Sequence, residues 1–429
     1  MGKIKIHKTK NCHFYHTPVP FRKNIVTIGT SESKGLQSLF TGLKEEFVMD
    51  ERIVKIAGTY AGGCAEEAKE LLRRLGKIPA PSHQEDQRAA FVSQWFKEQG
   101  FADVSVDVAK NVICRLGPQD GDLTVFAAHM DVVFPDKEPL PMREEGNRLY
   151  APGIGDDTAN LVNLMVASRW MASHEKELKR GFLIVANACE EGLGNLDGTK
   201  ALFAAYGSRI KAFYSLDGHL GHCRSSAVGS YRYRVTCRTK GGHSYADFGN
   251  PNAIEHLCRL IEDLYSVRLP EQARTTFNVG RIEGGTTVNS IAQMASMLYE
   301  FRSPSQEYLE YMKAQFDAKV EARRSADAQF DVELLGVRPG DGKLDRAALK
   351  AFTDRTLDVI RAYYDGELTL TASSTDSNVP LSMGIMANTL GTISGEGTHT
   401  REEWMDLDSL SVGLKLALSL MIVTAGIEV

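Results

Sequence analysis

The sequence predicts an α/β protein in which a mainly parallel sheet carries an inserted ferredoxin-like α+β domain. Two observations support this fold class. Short apolar runs alternate with helical stretches before residue 230 and again after residue 344, which is typical of a parallel sheet. Between about residues 230 and 338 the order changes to β-α-β-β-α-β, which is typical of a ferredoxin-like unit.

The larger domain is predicted from four apolar runs and the helical patterns around them. The predicted strands are Leu123 to Ala128, Phe182 to Ala188, Ala212 to Leu216 and Ile385 to Leu390. The predicted helices are Ala65 to Leu75, Glu85 to Gln99, Leu161 to Met171 and Leu410 to Ala425. The last helix contains Lys415 and falls short of the roughly 20 apolar residues of a membrane span, so we expect it to be buried in the protein.

The inserted domain is predicted to cover residues 230–338, which leaves a discontinuous larger domain of residues 49–229 and 339–429. Its predicted elements are the strand Tyr231 to Thr239, the helix Asn252 to Ser266, the strands Thr275 to Ile282 and Ala295 to Arg302, the helix Gln306 to Arg324 and the strand Phe330 to Gly336. Residues 1–48 show no sustained strand or helix period and are predicted to form a poorly structured extension.

The amino-acid composition indicates which classes of binding partner and which cellular compartment to expect. At 429 residues the chain exceeds what one hydrophobic core usually organises. Its net charge of -5, without a basic cluster, predicts no nucleic-acid partner and no anionic membrane partner. The seven cysteines are odd in number and contain no Cys-x-x-Cys pair, which favours a reducing compartment. The first thirty residues lack an apolar stretch of signal-peptide length, so we predict a cytoplasmic protein.

The first candidate site lies where the strand before His129 ends. His129 is followed two residues later by Asp131, and the carboxyl ends of strands are where open α/β sheets bind ligands. A histidine that binds a metal needs its other ring nitrogen held, usually by a carboxylate, and Asp131 is close enough in sequence to do this. Taken alone, the pair is weak evidence, because a histidine at a strand end more often has a structural role.

Two pairs of adjacent acids follow along the chain. Asp156 and Asp157 open a helix, where an N-cap with an acidic first turn is the simpler explanation. Glu190 and Glu191 come directly after an apolar strand. Two such carboxylates repel each other unless a cation or a shared proton relieves them. This second pair therefore points more strongly to a metal.

Asp217 after a further strand, and His399 in a glycine-rich loop, complete a candidate ligand set for zinc. The set is His129, Asp156, Glu191, Asp217 and His399. If Asp156 bridges two ions, each ion receives three protein ligands and the two ions share a water, whose pKa falls towards neutrality. Glu190, beside a ligand but not assigned as one, is then the natural general base.

The order and spacing of these motifs resemble those of the M20 metallopeptidases, the group that contains peptidase T, carboxypeptidase G and deacylases of acylated amino acids. The resemblance covers about residues 50–429 and includes the loop Ile78 to Ser82. It implies an enzyme with two zinc ions per subunit, for which Co²⁺ or Mn²⁺ could substitute. It also implies that residues 49–229 with 339–429 form the catalytic domain, and that residues 230–338 form a lid and dimerisation domain.

The resemblance extends into the insert. Gly241-Gly-His243-Ser is similar to the lid motif of the family, and Gly284-Gly with Asn289 and then Arg302 is similar to its substrate-binding run. By this analogy His243 stabilises an oxyanion, and Asn289 with Arg302 holds a carboxylate or carbonyl of the substrate. A homodimer through the insert and a cis peptide between Asp156 and Asp157 are implied in the same way.

The sequence leaves the substrate open. The Ser373 to Asn378 loop and the Pro-Ala-Pro-Ser start look most like the peptidase T branch, which favours an aminopeptidase for di- and tripeptides. Thr158 and Asn160 replace the Lys and Gly that commonly follow the bridging aspartate in the family. A deacylase or carboxypeptidase for N-acylated amino acids is the alternative, and a non-catalytic association protein is the third reading.

Overall fold

The computed structural model describes residues 49–427, so the extension predicted for residues 1–48 lies outside the described residues. The helices are α1 (Glu51–Leu75), α2 (Asp86–Glu98), α3 (Ala159–Ser173), α4 (Asp197–Tyr206), α5 (Ala253–Tyr265), α6 (Gln306–Arg323), α7 (Arg346–Arg361), α8 (Asn378–Ser382) and α9 (Leu407–Ala425). Short helical turns lie at Ile154–Thr158, Glu175–Glu177 and Gly192–Gly194.

The strands fall into one large sheet and three smaller ones. Those before the insert are β1 (Val104–Val106), β2 (Val112–Leu116), β3 (Leu123–His129), β4 (Arg143–Glu145), β5 (Arg148–Tyr150), β6 (Gly181–Asn187), β7 (Ile210–Leu216) and β8 (His222–Ala227). The others are β9 (Gly229–Arg238), β10 (Gly242–His243), β11 (Thr276–Gly284), β12 (Ser290–Ile291), β13 (Met294–Ser303), β14 (Gln329–Arg338), β15 (Thr369–Ser373), β16 (Met386–Leu390), β17 (Gly395–Glu396) and β18 (Trp404–Asp406).

The large sheet has the strand order β1-β2-β6-β3-β7-β16-β8-β15, and its middle strands β6, β3, β7 and β16 are parallel. Every residue of β3 is buried. Phe126 and Ala128 join the core formed with α1, α3 and α9, whereas Val125 and Ala127 join the core formed with α4 and α7. Helices therefore cover both faces of the sheet, which confirms the predicted α/β class with a mainly parallel sheet.

The insert forms its own four-stranded sheet, with the order β11-β13-β9-β14 and antiparallel neighbours throughout. Taken in chain order, this is the arrangement of a ferredoxin-like unit. Alternate residues of β13 are buried, among them Tyr299 and Phe301, and they pack with α5 and α6 on one face. The other face, which carries Glu300 and Arg302, is the more open one, and these two residues are partly exposed.

Two terminal helices differ in part from the sequence prediction. α1 begins at Glu51, well before the predicted Ala65, because Asp50 caps it and Ala57, Ala61 and Cys64 continue its buried stripe. α9 is buried, as predicted, and begins slightly earlier, at Leu407. Among the described residues α9 alone has the length and apolar composition of a membrane span, but 67% of its most apolar 18-residue stretch is buried inside the protein.

Candidate active site

Three neighbouring parallel strands end at the same edge of the large sheet. β3 ends in His129, β7 leads into Asp217, and β6 leads through Cys189 into Glu190 and Glu191. His399 comes from the loop between β17 and β18. Because the carboxyl ends of parallel strands meet at one edge, residues far apart in sequence converge there.

The five predicted ligands form two groups of three that share Asp156. His129, Asp156 and Asp217 make one group, and Asp156, Glu191 and His399 make the other; within each group the ligand atoms lie within 4.8 Å of one another. His129 Nε2 is 3.0 Å from Asp156 Oδ1, and His399 Nε2 is 3.1 Å from Asp156 Oδ2 and 3.1 Å from Glu191 Oε1.

These separations fit a pair of divalent cations. Two ligand atoms that each lie about 2.0–2.1 Å from one zinc ion at a tetrahedral angle are roughly 3.3 Å apart. The two oxygens of Asp156 face different histidines, as a bridging carboxylate requires. His129, Glu190 and Glu191 form a further close group, so geometry alone does not separate the two glutamates.

Asp131 acts on His129 mainly through its main chain. His129 Nδ1 is 3.0 Å from the carbonyl oxygen of Asp131 and 3.5 Å from its carboxylate Oδ1. The carboxylate instead accepts hydrogen bonds from Ser82 Oγ at 2.7 Å and from the backbone N–H groups of Glu190 and Glu191 at 2.9 Å each. Asp131 therefore orients the histidine and fixes the two glutamates at once.

The adjacent acids Asp156 and Asp157 point in different directions across a cis peptide bond, which confirms the predicted cis bond. Asp156 faces the histidines, whereas Asp157 Oδ2 accepts the backbone N–H of His129 at 3.0 Å. The turn before them needs Gly153, whose φ is 70°, because a Cβ there would lie 2.3 Å from Val132 Cγ1. The loop thus presents one acid to the site and uses the other for support.

Sequence reasoning missed Glu403, which holds this loop from a distant part of the chain. Its Oε1 accepts the N–H groups of Gly155 and Asp156 at 2.8 Å each, and its Oε2 accepts that of Gly153 at 2.9 Å. Glu403 is almost fully buried. Its contacts join residues about 250 positions apart, so no local pattern signals this role.

Charges in the site shift the protonation of its members. Burial lowers the pKa of His129, but the carboxylates of Asp157, Asp131 and Asp156 outweigh burial and hold it well above the usual value. Hydrogen bonds with Asp156 and Glu191 raise the pKa of His399 to about 11. Burial raises the pKa of Glu190 well above its usual value. The neighbouring carboxylates therefore favour the protonated form of both histidines.

Arg338, at the end of β14, is a second residue that the sequence did not reveal. Its Nη1 lies 3.3 Å from Glu190 Oε1, and its Nη2 donates to the carbonyl oxygen of Glu190. Both side chains are nearly excluded from solvent. The insert therefore supplies the cation that pairs with the predicted general base.

These groups line a cavity of about 490 Å³. Its lining includes four arginines, Arg224, Arg232, Arg302 and Arg338, and four acids, Asp156, Glu190, Glu191 and Asp217. Of the three predicted substrate residues, Arg302 lies in this lining. His243 and Asn289 do not; they lie beside each other on the insert, where Ser244 N donates to Asn289 O at 3.0 Å.

The fold and the site define a hydrolase with a candidate two-metal centre. The model of the peptidase family M20/M25/M40 matches residues 125–422, and the chain belongs to this family. The predicted family is thereby confirmed. The protein is accordingly an M20 hydrolase, of the peptidase or amidohydrolase kind.

Individual relatives point to different substrates. An acetylornithine deacetylase of Vibrio atlanticus (strain LGP32) is 26% identical over 253 residues, which cover 52% of this chain and 63% of the relative. The aminopeptidase PepT from Bacillus cereus ATCC 10987 has a similar structure, with a TM-score of 0.63 and 22% identity over 83% of this chain and 97% of that one. The YXEP protein of Bacillus subtilis, described as a dinuclear metal-binding peptidase, has a TM-score of 0.58 and 16% identity over 88% of this chain and 100% of that one.

Proposed function

We propose that the chain is a two-zinc hydrolase that cleaves an amide bond in a small peptide or an N-acylated amino acid. The observation that carries this proposal is the pair of three-ligand groups that share Asp156. Two nitrogen donors and three carboxylates suit zinc, and Co²⁺ or Mn²⁺ could replace it. Bound there, the two ions would polarise the scissile carbonyl and lower the pKa of a bridging water.

The protein's own residues then position the substrate and move the proton. Glu190 takes the proton from the attacking water and delivers it to the leaving nitrogen. Arg338 supports this role because its ion pair favours the ionised form of Glu190 and fixes the side chain. Asp131 fixes the backbone of Glu190 from the other side. In this proposal Glu190 is the base, and Glu191 is the metal ligand.

His243 and Asn289 are proposed to contact the substrate carbonyl, as the family resemblance implies. Because neither lines the cavity within a single chain, this role requires a movement of the insert or a second copy of the chain. Exposed apolar side chains near them, Tyr245, Phe248 and Val288, support the proposed homodimer through the insert. Light scattering that shows a monomer at micromolar concentration would remove the dimer from the proposal.

The proposed reaction is that of an aminopeptidase for di- or tripeptides, with a deacylase or carboxypeptidase as the second candidate. Arg302 in the cavity lining supports the second candidate, because its positive charge attracts a substrate carboxylate. The two candidates use the same chemistry. They differ in whether the pocket accepts a free amino terminus.

Matched tripeptides, one with a free amino terminus and one N-acetylated, test this with protein reconstituted with two equivalents of zinc. Cleavage of the free peptide alone identifies an aminopeptidase, and cleavage of the blocked peptide alone identifies the deacylase or carboxypeptidase. Glu190→Gln is expected to retain zinc and lose turnover. If this variant still turns over substrate with zinc bound, Glu190 is not the base.

A further inference from the structure

The four arginines of the cavity lining outnumber the carboxylates that pair with them. Arg338 is paired with Glu190, and the proposed ligands Asp156, Glu191 and Asp217 are assigned to two cations. Three arginines remain, Arg224, Arg232 and Arg302. Among the described residues, the one carboxylate that forms an ion pair with any of these three is Glu300.

Arg232 and Arg302 share Glu300 on the open face of the inserted sheet. Arg302 Nε and Nη2 donate to the two oxygens of Glu300 at 2.9 and 3.0 Å, and Arg232 Nε lies 3.4 Å from Oε2. Glu300 and Arg232 are opposite one another in the β13–β9 register. Burial, followed by the charges of Arg338 and Arg302, lowers the pKa of Arg232. Positive charge is therefore in excess at this side of the cavity.

Arg224 provides a second, separate excess of positive charge. It comes from β8 of the large sheet, and its Nη1 donates to the carbonyl oxygen of Asp217 at 3.2 Å. Among the described residues it forms no ion pair within 4 Å, and the carboxylate of Asp217 is a charge that acts on it. If Asp217 binds a metal ion, as proposed, this partly buried guanidinium has no carboxylate of its own, which is costly unless a ligand supplies one.

We propose that the enzyme acts on substrates that carry two carboxylates on the residue after the scissile bond, that is, on amides of glutamate or aspartate. This inference rests on the proposed function and specifies its substrate class. The N–H groups of Arg302 and Arg232 that do not contact Glu300 hold one carboxylate, and Arg224 holds the second. The two groups come from the insert and from the large sheet, so such a substrate is bound between them.

Two pairs of substrates that differ in one charge test the proposal in the zinc-loaded enzyme: Ala-Glu against Ala-Gln, and N-acetyl-Glu against N-acetyl-Gln. We expect kcat/KM to be about tenfold higher, or more, for the glutamate member of the pair that is turned over, since a hydrogen bond to a charged group is worth about 1.5–3 kcal/mol. Equal values for glutamate and glutamine would overturn the inference and leave the proposed function standing.

Arginine variants test which side chain binds the second carboxylate of the substrate. In Arg224→Gln the preference for glutamate over glutamine is expected to disappear, whereas Arg302→Gln lowers kcat/KM for both members. Arg234→Gln is the matched control, because Arg234 also lies on β9 but pairs with Glu333 at 2.6 Å outside the cavity. A preference that survives in Arg224→Gln with normal zinc content would contradict the assignment.

A comparison of the binding of glutarate and of its monoamide, glutaramate, tests the two-carboxylate site without any hydrolysis. Calorimetry on the zinc-loaded wild type is expected to show tighter binding of glutarate, and Arg224→Gln is expected to remove the difference. If none of the four substrates is hydrolysed and the matched tripeptides are also inert, the proposed function fails. Tighter glutarate binding would in that case still support the two-carboxylate site, and equal binding would exclude it.

Discussion

Arg338 and Glu190 form an ion pair in which Nη1 and Oε1 are 3.3 Å apart and in which both side chains are at least 92% buried. The two residues are 148 positions apart. One ends the last strand of the insert, and the other follows a strand of the large sheet. Removal of one partner of a buried pair leaves the other charge without compensation, which is costly. The ionisation of Glu190, the proposed base, therefore depends on a residue of the insert.

Arg338→Gln is expected to lower kcat by about 10–100-fold, as is typical when a group that orients a metal-site residue is lost. Burial already raises the pKa of Glu190, and Arg338 opposes this shift. Without Arg338 the pKa rises further, and since the base must be ionised, the acidic limb of the kcat profile moves to higher pH. Steady-state kinetics across pH measure both effects.

Arg234→Gln is the control for that variant, because Arg234 lies on the same sheet in an exposed pair with Glu333. It is expected to leave the pH profile in place. An Arg338→Gln enzyme with an unshifted acidic limb and full zinc content would show that the ion pair does not set the charge of the base.

Glu403→Gln is expected to weaken zinc binding by about 10–100-fold while the fold is retained. Both oxygens of Glu403 accept backbone N–H groups of the loop that carries Asp156. An amide group can accept on one side only, so one contact becomes a clash of two donors. Competition with a chelator measures the affinity. Glu402→Gln, at the exposed neighbouring residue, is the matched control, and equal affinities of the two variants would contradict this role.

The sequence predicted those parts of the candidate site that depend on local pattern. His129 and Asp217 follow apolar strands, and the edge of a parallel sheet brings such strand ends together. The fold class followed from the alternation of strands and helices for the same reason. Asp156 could be proposed as a ligand only together with the others, because an acid at a helix start has a simpler explanation. For Glu191 the signal was the adjacent Glu190, since two neighbouring carboxylates repel each other unless a cation is present.

Contacts that depend on how distant elements pack could not be predicted. Glu403 is an ordinary acid in a loop by its sequence, and Arg338 is one arginine among many. Asp131 was expected to hold His129 through its carboxylate, whereas the closer contact to Nδ1 comes from its carbonyl oxygen. The carboxylate is occupied by Ser82 and by two backbone N–H groups, and no sequence spacing indicates that arrangement.

Gly413→Ala is expected to destabilise the protein by about 2 kcal/mol or more, as overpacking of a core typically does. Gly413 lies in the buried helix α9, and a Cβ there would lie 1.8 Å from the carbonyl oxygen of Thr392 and 2.4 Å from Asn163 Nδ2. The backbone of Thr392 cannot move aside as a flexible side chain would. Urea denaturation measures the change in the free energy of unfolding.

Gly62→Ala is the matched control for this substitution. Gly62 is an exposed residue within helix α1, and a Cβ there meets nothing within 4 Å. Alanine in an exposed helix interior is favoured over glycine by about 0.5–1 kcal/mol. The two substitutions should therefore change stability in opposite directions, and a stabilising Gly413→Ala would contradict the packing of α9.

Zinc binding at pH 7 is expected to release about two protons, one each from His129 and His399, because a ligating histidine must be neutral. The pKa of His399 is raised to about 11 and that of His129 lies well above its usual value, so the protonated form of both rings is favoured before zinc binds. Zinc affinity should consequently rise with pH over the range in which the two histidines lose their protons. Calorimetry in buffers of different ionisation enthalpy counts the protons.

His219→Gln is the control, since burial lowers the pKa of His219 and the neutral ring has no proton to lose. A binding heat that is the same in every buffer would show that the histidines are already neutral.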